Sequence, residues 1–266
     1  MGYLDVKRGN AVKKSKVLAV INQKGGVGKS TTVVNLAAAL GEAKKKVLVI
    51  DIDPQGNTTS GLGLDKYSLK RSMYQALIGE CAVQDVIADT CEPRVFIIPA
   101  TSDLAGAEIE LVEMERREHK LQDLVTQMRD HFDYLIIDCP PSLGLLTVNA
   151  LVAADALIIP IQCEYYALEG VSELMKSMKM IKGGLNPYLD IFGVLLTMYD
   201  NRTTLSKQVA QEVTKFFGGK VFKTIIPRNV KLSEAPSHGM PVTHYARISK
   251  GAQAYTKLAK EVIRRG

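Results

Sequence analysis

Three observations predict an α/β fold with a mostly parallel, twisted sheet covered on both faces by helices. Short apolar runs rich in β-branched residues recur along the 266 residues, and amphipathic stretches of helical period separate them. The chain is 46% hydrophobic but only 6% aromatic, with no Trp. Buried parallel strands read as continuous Val/Ile/Leu runs. Strands alternating with helices build right-handed βαβ units. The length is enough for one large core, and no repeat or Pro/Ser-rich linker divides it, so residues 16–266 are read as one domain behind a basic arm at 1–15.

The elements follow in order. An apolar run at 17–21 leads into Lys-Gly-Gly-Val-Gly-Lys-Ser-Thr at 24–31, and 32–40 continue as a helix. The run at 47–52 is a strand ending in the Asp51-Ile-Asp53 pair, and 95–98 is the next. A helical pattern covers 108–131, and a strand at 134–138 ends on Asp138. Cys139-Pro140-Pro141 then prevents an immediate helix. Strands at 156–161, 191–196 and 221–226 alternate with helices at 168–181 and 205–217, and 251–265 close the chain as a helix.

Strand, glycine-rich turn and helix form an arrangement that holds phosphates. It aims backbone N–H groups, a helix dipole and a lysine at one point. Lys29 is expected to reach the β- and γ-phosphates, the Ser30 hydroxyl to ligate Mg²⁺, and the backbone N–H groups of Gly26 to Thr31 to cradle the anion. The usual pattern has a glycine five residues before the Gly-Lys pair. Here that position is Gln23, and a second lysine, Lys24, follows. Alternation puts Asp51 and Asp53 on one side of a strand, which is repulsive unless a cation or water lies between them or the strand end is solvated. Asp138, at the end of four apolar residues, suits a carboxylate that holds Mg²⁺ directly or through water. These three carboxylates and one hydroxyl are expected to converge on the loop as a Mg-nucleotide site.

Charge is unevenly distributed. Residues 1–16 carry a net +4, residues 17–160 a net −6 and residues 161–266 a net +8. A basic face favours a polyanionic partner. Cys81, Cys91, Cys139 and Cys163 show no metal or redox spacing and read as reduced thiols. No apolar run approaches the ~20 residues that span a bilayer, and the N-terminal residues lack the apolar core of a signal peptide. A soluble cytoplasmic protein is expected.

Four segments together resemble one family. Asn22-Gln-Lys-Gly-Gly-Val-Gly-Lys-Ser-Thr31, Asp51-Ile-Asp-Pro-Gln-Gly-Asn57, Ile137-Asp-Cys-Pro-Pro-Ser142 and Ile226-Pro-Arg-Asn-Val-Lys-Leu-Ser-Glu-Ala-Pro-Ser237 are similar to the ParA/Soj family of deviant Walker A partition ATPases. The likeness covers 16–265. It implies a P-loop NTPase that takes ATP/ADP and Mg²⁺, turns over slowly and forms a sandwich homodimer with ATP. It further implies nonspecific binding to double-stranded DNA of the nucleoid, stimulation by a ParB/Spo0J-like protein, and no membrane. Lys24 resembles the signature lysine that crosses to the partner's ATP, where a second cation would stabilise developing charge. The nucleotide set so implied is Lys24, Gly25, Gly26, Val27, Gly28, Lys29, Ser30, Thr31, Asp53 and Asn57, with Pro227 and Asn229 framing the adenine. By the same likeness Lys24, Lys29, Asp53 and Asp138 are catalytic, with Asp53 positioning water. Ser30, Asp51 and Asp138 serve the metal. The family's DNA-binding cations match best at Arg202 and Lys231. Lys207, Lys220, Lys223, Arg247 and Lys250 add charge in the same third of the chain, a pattern suited to reading the phosphate backbone without a recognition helix. The arm is too short for a helix-turn-helix, so operator-specific binding is not expected.

Two rivals share the loop. A MinD-like ATPase would need an amphipathic membrane helix, and the apolar face of the last helix is needed to close the domain. An iron–sulfur electron carrier would need cluster cysteines, and Cys139 beside Asp138 has no evident mate. A binding module with a dead site is disfavoured by the intact Lys29, Ser30, Asp53 and Asp138.

Overall fold

The computed structural model describes residues 15–165 and 169–266. Seven strands form one sheet: β1 (Lys16–Val20), β2 (Val47–Asp51), β3 (Ala88–Asp89), β4 (Val95–Ile98), β5 (Tyr134–Asp138), β6 (Ala156–Gln162) and β7 (Asp190–Thr197). Their order is β3-β4-β2-β5-β1-β6-β7. All pair in parallel except β3, which lies antiparallel on β4. Two residues are too few to carry a periodicity, so β3 is invisible in the sequence.

The helices α1 (Lys29–Glu42), α2 (Asn57–Gly61), α3 (Met73–Ile78), α4 (Leu104–Glu110), α5 (Lys120–Met128) and α6 (Leu145–Ala153) precede α7 (Glu169–Gly184) and α8 (Thr204–Phe217). The short α9 (Val230–Glu234) and α10 (Val242–Tyr245) lead to α11 (Lys250–Arg265). Alternation along β1 separates two cores. Leu18 and Val20 pack with Leu36 and Leu40 of α1 and with Tyr255 and Leu258 of α11. Val17, Ala19 and Ile21 face the opposite layer, with Leu121 of α5, Leu146 of α6 and Leu174 of α7. The chain leaves β1 to one side for β2 and returns to its other side at β6. The loops after β1 and β5 therefore open the crevice where ligands of such sheets bind.

Two expectations fail for tertiary reasons. The segment 108–131 is not one helix. The chain turns at Arg116 (φ +52°), and Asn149 of α6 caps the restart by accepting from Leu121 N (3.0 Å) and donating to the Arg117 carbonyl (2.8 Å). The run 221–226 is not a regular strand. It makes two isolated bridges with the β7 side, Val194 with Val221 and Tyr199 with Pro227. Between them, the N–H groups of Lys223 and Thr224 turn to the buried carboxylate of Glu261 on α11, at 2.8 and 2.9 Å. A side chain from the neighbouring helix has replaced the ladder. The basic arm at 1–15 falls, apart from Ser15, outside the described residues.

Candidate nucleotide site

The loop after β1 turns through Gly26 (φ +75°) and Gly28 (φ +89°), backbone conformations that other residues adopt only with strain. Gly28 caps α1 without any side-chain hydrogen bond, and the first turn of α1 holds no acidic residue. The first N–H groups of a helix have no intrahelical partner, so this uncapped 14-residue helix presents them, with its dipole, to an anion. Val27 faces inward, and its carbonyl accepts from the buried Thr197 hydroxyl (2.9 Å), which ties the loop to β7.

A cavity of about 580 Å³ opens on this turn. It is lined by Gly25, Gly26, Gly28, Lys29, Ser30 and Thr31 from the loop and by Asp53 and Asn57 from the segment after β2. Lys29 is buried, and its Nζ rests on the Lys24 carbonyl (3.2 Å). Burial lowers its pKa, opposed by the nearby Asp138, Cys139 and Asp53. An ammonium held in this way is strengthened by an incoming polyanion. Asp53 accepts from Gln55 N (3.0 Å) and remains at the cavity wall.

Register places Asp51 and Asp138 side by side at the ends of β2 and β5, both fully buried. Burial pushes both carboxyls above the usual carboxylate range, and for Asp51 the neighbouring Asp138 adds to the rise. The two differ in how they are satisfied. Asp51 accepts from Asp53 N (3.2 Å) on one oxygen and from Thr59 N (2.9 Å) and Oγ1 (2.7 Å) on the other. Asp138 accepts from Thr58 Oγ1 (2.7 Å) on Oδ2, while Oδ1 is buried without a hydrogen-bond partner. Asp138 and Asp53 both act electrostatically on Lys29, whereas both oxygens of Asp51 are satisfied by neighbouring backbone and Thr59. Among the described residues no three His, Cys, Asp or Glu side chains are grouped to hold a metal. The Ser30 hydroxyl and the orphan oxygen of Asp138 are a sparse all-oxygen donor set. That fits Mg²⁺, which keeps most of its waters and takes the rest from phosphates.

A second cavity of about 460 Å³ adjoins the first, sharing Gly28, Thr31, Met198 and Pro236. Pro227, Asn229, Leu232 and Tyr255 line it, an apolar slot with a few polar groups that suits a purine. Lys24 does not line either cavity. Its ammonium lies 4.0 Å from Glu164, which also accepts from Arg228 (3.4 Å) and from Gln162.

The seven candidate cations do not form one cluster. Arg202 grips Asp200 through Nε and Nη2 (2.9 and 2.7 Å) and pulls that carboxyl down to about 2. Lys231 pairs with Glu234 (2.8 Å). The backbone bond from Arg228 N to the Tyr199 carbonyl (3.0 Å) sets these two loops side by side. Lys223 and Lys250 line a groove of about 570 Å³ along α11, together with Lys257, Lys260 and Arg264. Lys220 pairs with Asp190 at the opposite end of β7 (2.7 Å), while Lys207 and Arg247 are simply exposed. Lys257, Lys260 and Arg264 escaped the sequence reading, although with Lys250 their spacing repeats on one helical face. Thr58 and Thr59 gave no signal beyond following Asn57.

A family model described as an AAA domain matches residues 15–191. The sporulation initiation inhibitor protein Soj of Bacillus subtilis is 54% identical over 94% of this chain and 99% of its own length. The chromosome partitioning protein ParA of Caulobacter vibrioides is 51% identical over 94% of each chain. The solved structure of cobyrinic acid a,c-diamide synthase from Mycobacterium smegmatis with bound ADP and magnesium has a TM-score of 0.83. It is 39% identical and matches over 94% of each chain.

Proposed function

The chain belongs to the ParA/Soj family of deviant Walker A partition ATPases, and from that premise we propose that it is a Mg-ATP-dependent dimerising ATPase of chromosome or plasmid partitioning. In this reading its ATP dimer binds DNA without sequence preference, and a ParB-like protein stimulates hydrolysis. The observation that carries it is the uncapped, acid-free start of α1 facing a cavity lined by Lys29, Ser30 and Asp53, with the buried Asp138 behind Lys29. Lys29 leaves the Lys24 carbonyl to bind β- and γ-phosphates. Ser30 and Asp138 would hold Mg²⁺, which when bound would supply positive charge against that of the phosphates. Asp51 acts one step back, fixing the Asp53 backbone and α2 rather than offering a free oxygen. Asp53 orients the attacking water. Lys24 exchanges Glu164 for the γ-phosphate across a dimer interface.

Arg202 and Lys231, with the α11 groove, form the DNA surface, and two such faces on one rigid dimer double the phosphate contacts. The MinD-like alternative gains nothing from α11. Its apolar side chains Tyr255, Leu258, Ala259 and Val262 are buried in the core, and among the described residues no helix is long and apolar enough to cross a membrane. Size-exclusion and DNA binding measured side by side without nucleotide, with ADP and with ATP test the proposal. A dimer and DNA binding confined to ATP are expected. DNA binding indifferent to nucleotide would refute the switch.

A further inference from the structure

Among the described residues, Lys44, Arg116 and Met198 are the non-glycine residues with positive φ. Lys44 and Arg116 sit in surface turns. Met198 (φ +51°) follows β7 and lines both the phosphate cavity and the base cavity. A bulky residue in the left-handed region is strained, and such strain persists only where the surroundings over-determine it.

Here they do so on both sides. Thr197 donates its hydroxyl to the Val27 carbonyl of the phosphate loop (2.9 Å), and its own carbonyl accepts from Cys163 N (3.1 Å). Tyr199 donates its N–H to the Ile226 carbonyl (3.1 Å) and accepts from Arg228 N (3.0 Å). The two neighbours are pinned to the phosphate loop and to the base loop, so the single residue between them absorbs the turn. Glycine or asparagine would take that turn with less strain. What methionine supplies is a long, polarizable side chain at the one wall that the two cavities share. A thioether fits irregular gaps and packs well on aromatic edges.

We infer that Met198 is a nucleoside-positioning residue: its strained backbone holds the thioether where phosphate cavity and base cavity meet, so that it covers the nucleoside once the phosphates are seated. The inference rests on the nucleotide reading above and adds to it a residue that none of the sequence motifs contains.

The test is calorimetric binding of Mg-ADP and of Mg-tripolyphosphate to the full chain and to the M198G, M198A and M198L variants, with thermal melts of each. Losing the side chain in M198G should weaken ADP by about tenfold, the equivalent of one buried apolar side chain. Tripolyphosphate, which has no nucleoside, should stay within about twofold of the native chain. M198L keeps an apolar cover and should retain ADP affinity. M198A keeps the strain without the side chain and should melt below M198G, which relieves it. Native ADP affinity in M198G would overturn the inference. Equal losses of ADP and tripolyphosphate would also overturn it, because Met198 would then act through the Thr197–Val27 bond and not on the nucleoside. A native chain that binds neither ligand would overturn the nucleotide reading itself.

Discussion

Thr58→Val isolates the hydrogen bond on which the buried Asp138 depends. Both residues are fully buried, Oγ1 lies 2.7 Å from Oδ2, and the second carboxylate oxygen has no hydrogen-bond partner. Valine preserves the shape and removes only the donor, so an ionised Asp138 loses the hydrogen bond from Thr58 and keeps only the nearby Ser30 hydroxyl. A hydrogen bond to a charged group contributes about 1.5–3 kcal/mol, and a neutral one about 1 kcal/mol. For a chain of this size, 2 kcal/mol corresponds to a melting temperature lower by about 4–8 °C. Burial already raises the Asp138 pKa in the folded state above its unfolded value. Below the ordinary carboxylate pKa near 4 both states are protonated, and stability is lost as pH rises through the folded pKa. The T58V penalty should therefore be about 1 kcal/mol at pH 5 and about 2 kcal/mol at pH 8. Melting curves of the native, T58V and T58S chains at both pH values, with and without Mg-ADP, provide the assay. T58S keeps the hydroxyl and should recover most of the loss, and Mg-ADP should narrow the gap at pH 8 by giving the carboxylate a cation. Indistinguishable melts of T58V and the native chain at pH 8 would show that Asp138 does not depend on Thr58, and the argument for its orphan oxygen as a metal ligand would fall.

Further variants separate binding, assembly and chemistry. Lys24→Ala should retain ATP but lose dimerisation and turnover, whereas Lys29→Ala should lose nucleotide itself. An unaltered ATP-dependent dimer in the first variant, seen by size exclusion, would end the trans role of Lys24. Asp53→Ala leaves both lysines in place, so it should accumulate a DNA-binding dimer that does not hydrolyse its ATP. Phosphate release at the native rate would reassign the water. Arg202→Glu and Lys231→Glu should each abolish DNA binding while sparing the ATP dimer, and native affinity should fall with salt at a log–log slope of about −0.9 per neutralised phosphate. Because Asp200 and Glu234 already pair with these cations, Asp200→Asn should instead strengthen DNA binding. Native-like binding by both Glu variants at ~0.15 M salt would shift the surface to the α11 groove.

Much of this was legible in the sequence because its causes are local. The glycine spacing at 24–31 dictates a positive-φ turn before a helix, and the apolar runs of β2, β4 and β5 each begin where the sequence reading placed them. Local pattern also located Lys29, Ser30, Asp53 and Asn57 on one wall, since each follows closely on a strand whose end faces the crevice.

What only tertiary structure decided concerns which distant partner satisfies a buried polar group. Asp51 and Asp138 read alike in sequence, yet both oxygens of Asp51 are satisfied by Thr59 and Asp53, while Asp138 has one oxygen held by Thr58 across 80 residues and the other without a hydrogen-bond partner. The 221–226 run has the composition of a strand, but Glu261 takes two of its N–H groups from 37 and 38 positions away. Met198 carries no motif, and its backbone is forced by bonds to Val27, Cys163, Ile226 and Arg228 at its two neighbours. Secondary structure follows from side-chain period and backbone sterics, which act over a few residues. Satisfaction of buried donors and acceptors depends on what folding brings within 3 Å, and that distance is not written in any local stretch of chain.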